Sequence, residues 1–224
     1  MSNTDKTVVK NIDPIQSLKK VWVDCLNEHL EIFKNSEAVK SLNETSICID
    51  CGAHIGRVSD IFAGIGATVY AFEPHPQVFA QLSKRFEFNP KVHCIPKGVY
   101  NKATTMNLYM FKYACDDELF WAQGSSIYAT NKEIDNLNYI EIEMIDLISF
   151  IKELNVKIDI LKLDVEGAEF DILENLIKND LHNSIHHILV ESHENEILEL
   201  ADKAAYIKKI IAEKNINNIN LEWI

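Results

Sequence analysis

Four apolar stretches of this chain each end in an acidic residue. The stretches, each with its final acid, are 47–50 (Asp50), 69–73 (Glu73), 158–164 (Asp164) and 188–191 (Glu191). Continuous apolar runs of this length are typical of strands buried in a parallel sheet. The carboxyl ends of parallel strands line one crevice, and ligands bind there where the strand order reverses. The pattern therefore predicts that the four carboxylates face one ligand.

A glycine turn follows the first of these stretches. Gly52 and Gly56 have the spacing G-x-x-x-G directly after Asp50. Glycine allows a backbone to approach a ligand closely, although such a pair also occurs in structural turns. A dinucleotide fingerprint requires G-x-G-x-x-G, and His54 and Arg57 stand where its second and third glycines belong. The turn therefore disfavours NAD as the ligand.

Glu73 indicates a ribose in the ligand. It lies near the offset of about 20 residues at which an acid reaches a ribose in nucleotide folds. Its carboxylate can accept hydrogen bonds from the 2′ and 3′ hydroxyls together. The alternative is an acid that complements a helix N-terminus, but Pro74 and Pro76 delay that helix. A ligand with a ribose and a positive charge suits the four acids, and S-adenosylmethionine has both.

Three residues are candidates for catalysis at this crevice. An acceptor that loses a proton in the reaction needs a base, and Asp164, Glu166 and His193 are available. Glu166 is predicted to open a helix, where it could equally serve the helix dipole. His193 stands two residues after Glu191, on the same side of the chain, and an imidazole pKa near 6.5 suits a base. The alternative for His193 is a surface residue that caps the last helix.

A divalent metal is the other chemistry open to this cluster. Carboxylates and imidazole form an acceptable ligand set, so Asp164, Glu191 and His193 could converge on an ion that activates the acceptor. No metal motif of fixed spacing supports this reading. A metal is thus possible but not expected.

The elements that position these residues alternate between strand and helix. Residues 45–224 are predicted to form a doubly wound, mostly parallel α/β sheet, and residues 1–44 a helical extension. An alternating pattern at 106–110 and 140–144 predicts an inserted antiparallel element. Further elements are predicted as helices at 14–33, 36–42, 55–63, 77–88, 146–154 (or 149–154), 166–177 and 197–212, and strands at 92–95, 187–192 and 219–224.

Composition limits the partners. The 224 residues carry a net charge of -12, which argues against nucleic acid and anionic membranes as partners.

Five cysteines, an odd number, and the lack of a signal-like opening predict a reduced, cytoplasmic protein. Cys48 and Cys51 are expected on opposite faces of a strand, which disfavours a redox or metal role for their C-x-x-C. The amphipathic leading helix could also support a homodimer.

Several motifs together resemble the FkbM-type branch of class I S-adenosylmethionine-dependent methyltransferases. The motifs are C-I-D-C-G-A-H-I-G at 48–56, A-F-E-P at 71–74, K-L-D-V-E-G-A-E at 162–169 and E-S-H at 191–193, with shorter matches at 98–100 and 124–126. The resemblance covers roughly residues 45–194. It implies cofactor contacts from Asp50, Gly52, Ala53 and Gly56 at the methionine end, Glu73 at the ribose, and Gly98 with Val99 at the adenine. His54 and Pro74, which lie within these motifs, and Asp164, which ends the strand beside the first one, are predicted to belong to the same cofactor site.

The same resemblance implies the reaction. It predicts an O-methyltransferase for a hydroxyl of a saccharide, a sugar nucleotide or a secondary metabolite, with Ser125, Ser126 and Glu191 near the substrate. Two alternatives remain open at this point. One is an NAD(P)-dependent oxidoreductase on a similar sheet, and the other is a noncatalytic module that binds the cofactor and a protein partner.

Overall fold

A computed structural model describes residues 13–114 and 117–223. The strands are β1 (Ile47–Cys51), β2 (Thr68–Phe72), β3 (Val92–Ile95), β4 (Gly98–Tyr100), β5 (Thr104–Phe111), β6 (Ile134–Asp146), β7 (Ile158–Leu163), β8 (Ile185–Val190) and β9 (Ile219–Asn220). The α-helices are α1 (Pro14–Lys34), α2 (Glu37–Lys40), α3 (Arg57–Ile65), α4 (Pro76–Arg85), α5 (Glu118–Trp121), α6 (Leu147–Leu154), α7 (Glu169–Lys178) and α8 (Ala201–Glu213).

Six strands form a parallel sheet in the order β3-β2-β1-β7-β8-β9. The predicted doubly wound α/β fold is confirmed. The order reverses between β1 and β7, which are neighbours, so Asp50 and Asp164 end adjacent strands. This is the position at which open α/β sheets bind their ligands.

Helices cover both faces of this sheet. Phe33, the short helix α2, α3 and α4 pack on one face, and α6, α7 and α8 pack on the other. Cys48 belongs to the first apolar cluster and Cys51 to the second, which confirms that the C-x-x-C pair points to opposite faces. Cys115 lies outside the described residues. Within the two described ranges, no helix is long and apolar enough to cross a membrane.

A second sheet of three strands, in the order β4-β6-β5, covers the crevice. The predicted antiparallel element is confirmed in the β5–β6 pair, although β6 begins well before residue 140. The amino-terminal half of α1 packs against this sheet through Ile15, Leu18 and Trp22. Because Phe33 packs on the large sheet, α1 spans both units. The division of the chain at residue 44 remains a prediction.

Helix α7 begins at Glu169, and the prediction that Glu166 opens it was wrong. Glu166 has φ 55° and Gly167 has φ 120°, so neither can occupy a right-handed helix. The turn is held by the Glu169 carboxylate, which accepts hydrogen bonds from the backbone N–H groups of Val165 and Gly167 at 3.1 Å. This turn sets the direction of the Glu166 side chain.

Two predicted strand ends also needed correction. β8 stops at Val190, so Glu191 and His193 lie beyond the strand rather than within it. The closing strand β9 covers Ile219–Asn220 only, and it runs parallel to β8. Ile224, where the predicted strand ended, lies outside the described residues.

Gly52 is the glycine on which the crevice depends most. Its φ is +76°, and a Cβ there would stand 1.8 Å from the backbone oxygen of Asp164. We predict that Gly52→Ala lowers the free energy of unfolding by at least about 2 kcal/mol, from backbone strain and steric overlap. Urea unfolding measures the change.

Gly64→Ala is the matched control, because a Cβ at this α3 position meets nothing within 4 Å. It should stabilise the protein by about 0.5–1 kcal/mol. Equal effects of the two substitutions would contradict the close approach at Gly52.

Candidate active site

A pocket lies at the carboxyl ends of β1, β2 and β7, beneath the second sheet. Its polar wall comes from the large sheet and consists of Gly52, His54, Glu73, Pro74, Asp164 and Glu166. Its apolar wall comes from the second sheet and the loop that follows α5, and includes Leu108, Ile127, Ile142 and Met144. Gly98, Val99 and Ser125 also line it. The structure thus brings most of the predicted cofactor residues to one place.

Lys162 fixes the floor of this pocket. Its side chain is 3% exposed, and its Nζ lies 2.7 Å from the Gly52 carbonyl oxygen and 3.0 Å from Asp164 Oδ2. Asp50 Oδ1 is 3.5 Å away. Burial lowers the pKa of Lys162, but the carboxylates of Asp164 and Asp50 outweigh it and raise the pKa. The ammonium group therefore stays charged and joins β1 to β7.

Three predicted cofactor residues lie behind the pocket wall. Asp50 is fully buried, where Ser59 donates a hydrogen bond to its carboxylate at 2.6 Å. Ala53 is buried, and Gly56 caps α3 in the left-handed region beside Leu82. None of the three lines the pocket, so their direct contact with a cofactor remains a prediction.

Glu73 is positioned by the backbone on either side of it. The side chain is 6% exposed, and its two oxygens accept hydrogen bonds from the N–H groups of His54 at 2.9 Å and His75 at 2.8 Å. Burial raises the pKa of Glu73 to about 7, although these backbone N–H groups oppose the shift. Each carboxylate oxygen keeps a further lone pair that can accept from a ligand.

His54 connects the glycine turn to the segment that covers the pocket. Its Nε2 lies 3.1 Å from the Leu119 carbonyl oxygen in α5, and its backbone has φ 50°. Burial lowers the pKa of His54 to about 4, so the ring is neutral and its Nε2–H donates to Leu119. Lys19 of α1 pairs with Asp117 at 3.1 Å beside the same segment. The leading helix thereby helps to hold this cover in place.

Gly98 and Met144 pack closely at the apolar end of the pocket. A Cβ on Gly98 would stand 2.4 Å from Met144 Sδ, so glycine at this position lets the Met144 side chain lie directly against β4. Met144 and Ile142 were not predicted as site residues. Alternation along β6 showed that its residues face two sides, but the sequence did not show which side covers the crevice.

His193 stands inside a group of carboxylates. It is 8% exposed, which excludes the surface position considered as the alternative. Its Nδ1 lies 2.9 Å from Glu169 Oε1, and its Nε2 lies 3.5 Å from Glu166 Oε2 and 4.0 Å from Asp164 Oδ1. Burial lowers the pKa of His193, but Glu166, Glu169 and Asp164 outweigh it and raise the pKa above 6.5.

Two acids beside His193, Glu191 and Glu166, have raised pKa values. Burial, followed by the charge of Asp164, raises the pKa of Glu191 to about 8. Burial also raises the pKa of Glu166 well above its ordinary value. Ligand atoms of Asp164, Glu191 and His193 lie within 4.8 Å of one another, so they could share a divalent ion. The metal hypothesis stays a prediction, because acidic groups cluster in this way without an ion as well.

The two serines of the 124–126 loop differ in position. Ser125 is buried and lines the pocket. Ser126 donates a hydrogen bond to the Glu166 carbonyl oxygen at 2.9 Å and accepts one from the Tyr128 N–H at 3.2 Å. Its hydroxyl thus supports the turn that carries Glu166. Contact of either serine with a substrate remains a prediction.

A parallel sheet with this pocket at its switch point defines an α/β protein of the class I methyltransferase type. A family model described as the Methyltransferase FkbM domain matches residues 50–215. The chain belongs to the FkbM methyltransferase family. The matched residues include the glycine turn, Glu73, Lys162 and the carboxylate cluster around His193. No curated protein matches the chain in sequence.

Replacing the buried ammonium tests its role in the pocket floor. Lys162→Met would leave the buried Asp50 and the partly exposed Asp164 without a cation, and we predict a loss of about 3–5 kcal/mol in the free energy of unfolding. Adding Asp50→Asn should restore part of that loss. Both values come from urea unfolding.

Lys157→Met, at an exposed lysine just before β7, is the control. It should change stability by less than about 0.5 kcal/mol. A Lys162→Met protein as stable as this control would refute the structural role of the ammonium group.

Proposed function

We propose that this protein is an S-adenosylmethionine-dependent O-methyltransferase that acts on a hydroxyl of a small molecule or glycan. The observation that carries the proposal is the division of one pocket into an acidic end and an apolar end at the sheet's switch point. The acceptor classes that we favour are saccharides, sugar nucleotides and secondary metabolites. The net charge of -12 supports a small acceptor over nucleic acid or an anionic membrane.

The residues of the pocket fit this cofactor. Glu73 offers free lone pairs to two ribose hydroxyls, and Val99, Ile142 and Met144 give the apolar end a lining that suits an adenine. Asp164 supplies negative charge for a sulfonium and an α-amino group. Gly52 lets the turn after β1 lie directly against the Asp164 backbone, and both residues line the pocket. When bound, S-adenosylmethionine supplies a methyl group on a carbon already activated for displacement.

His193 is the base that we favour for the acceptor hydroxyl. Asp164 is already paired with the Lys162 ammonium at 3.0 Å. Burial raises the pKa of Glu166 well above its ordinary value. His193 has the raised pKa of a stronger base, and its Nε2 lies beside two residues that line the pocket. It would take the hydroxyl proton when its ring is neutral, so activity should rise towards alkaline pH.

An NAD(P)-dependent oxidoreductase and a noncatalytic module have less support. The glycine turn lacks two of the glycines that let a backbone approach a pyrophosphate, and the family match is to a methyltransferase domain. A noncatalytic module would bind S-adenosylmethionine but form no S-adenosylhomocysteine with any hydroxylated acceptor. We also propose a reducing, cytoplasmic setting, which the unpaired cysteines Cys25, Cys48, Cys51 and Cys94 support.

Removing the Glu73 carboxylate tests the cofactor assignment. Glu73→Ala should weaken S-adenosylmethionine binding by about 1.5–3 kcal/mol, the usual value of hydrogen bonds to a charged group. Calorimetric titration measures the affinity, and thermal unfolding confirms that the variant is folded. Glu87→Ala removes an exposed acid beyond α4 and should bind as the wild type does.

The pH dependence gives a second result from the same pair of proteins. Because the pKa of Glu73 is about 7, the carboxylate is lost as pH falls through that value. The difference in affinity between the wild type and Glu73→Ala should therefore narrow at acidic pH. A difference that stays constant from pH 8 to pH 6 would count against the ribose contact.

Removing the imidazole tests the base. His193→Ala should lower kcat by about 100-fold or more, the usual contribution of a general base, and leave the affinity for S-adenosylmethionine almost unchanged. The rates come from S-adenosylhomocysteine formation with an accepted hydroxyl substrate. A variant with normal kcat would show that the base lies elsewhere.

A further inference from the structure

We propose that Glu169 is a positioning residue that holds the His193 ring with its Nε2 directed at the pocket. This inference rests on the proposed function, because it assigns a role to the partner of the proposed base. Glu169 was not predicted as a site residue. The contact that carries the inference is the 2.9 Å distance between Glu169 Oε1 and His193 Nδ1.

Glu169 is itself rigidly held. It is fully buried at the first residue of α7, where a carboxylate complements the helix dipole. Its Oε1 accepts N–H groups from Val165 and Gly167, and its Oε2 shares the second of these. A buried carboxylate that accepts from two backbone N–H groups gives the imidazole a defined direction.

This contact determines which ring nitrogen can act. With Nδ1–H donated to Glu169, the lone pair of the neutral ring lies on Nε2. Nε2 faces Glu166 and Asp164, which line the pocket, whereas Nδ1 faces the protein interior. The opposite tautomer would place the only lone pair where no substrate can reach it.

Glu169 also holds the turn at 165–167, so a purely structural role must be separated from positioning. Glu169→Gln keeps an oxygen that can accept at the Oε1 position, whereas Glu169→Ala removes every contact. Asp171→Asn is the matched control, because Asp171 is another first-turn acid of α7 but accepts from the Tyr100 hydroxyl at 3.0 Å instead of His193.

Nitrogen NMR of ¹⁵N-labelled full-length protein reads the His193 tautomer directly, at a pH where the ring is neutral. We expect the Nδ1–H form in the wild type, in Glu169→Gln and in Asp171→Asn. Glu169→Ala should lose that preference. Its kcat should fall about tenfold or more with an unchanged KM for S-adenosylmethionine, and Glu169→Gln should recover most of the rate.

The outcomes separate this inference from the proposed function. If His193→Ala is slow but Glu169→Ala keeps the wild-type tautomer and kcat, only the role of Glu169 is wrong. The role is also wrong if both Glu169 variants lose kcat only in proportion to their folded fraction. If His193→Ala has normal kcat, the proposed base is wrong and Glu169 positions no catalytic group.

Discussion

The buried ammonium of Lys162 is the interaction on which the rest of the site depends. It joins the Gly52 carbonyl after β1 to the Asp164 carboxylate after β7, with Asp50 beside it. These two strands meet where the sheet order reverses. The ammonium group can be buried there because two carboxylates contact it, and its charge in turn stabilises the buried Asp50 carboxylate. The glycine turn after β1 and the turn after β7 that begins at Asp164 are thus held at a fixed distance from each other.

The same balance of charge explains the chemistry of the pocket. Asp164, Glu166, Glu169 and Glu191 lie around His193, and burial together with mutual repulsion favours retained protons on Glu166 and Glu191. Lys162 offsets part of this negative charge from below. A cationic cofactor would offset more of it from above. We infer that the acids of this site, although poorly solvated, increase its affinity for a positively charged nucleoside.

Much of the fold was predictable from the sequence, because apolar runs that end in acids are local signals. These runs predicted the parallel sheet, the adjacency of Asp50 and Asp164 and the position of Glu73 in the pocket. Lys162 was not predicted, because its partners lie 110 or more residues away along the chain or face it only after folding. Glu169 was missed because a first-turn acid usually serves its own helix. The extent of the apolar wall depends on how the second sheet docks, which no local pattern specifies.

A crystal structure of the protein with S-adenosylmethionine tests the central claim most directly. We predict that the ribose hydroxyls lie within hydrogen-bond distance of the Glu73 carboxylate, and that the methionine end lies over the Gly52 turn beside Asp164. The Lys162 contacts should persist beneath the ligand. A cofactor bound elsewhere, or a ribose without contact to Glu73, would contradict the account.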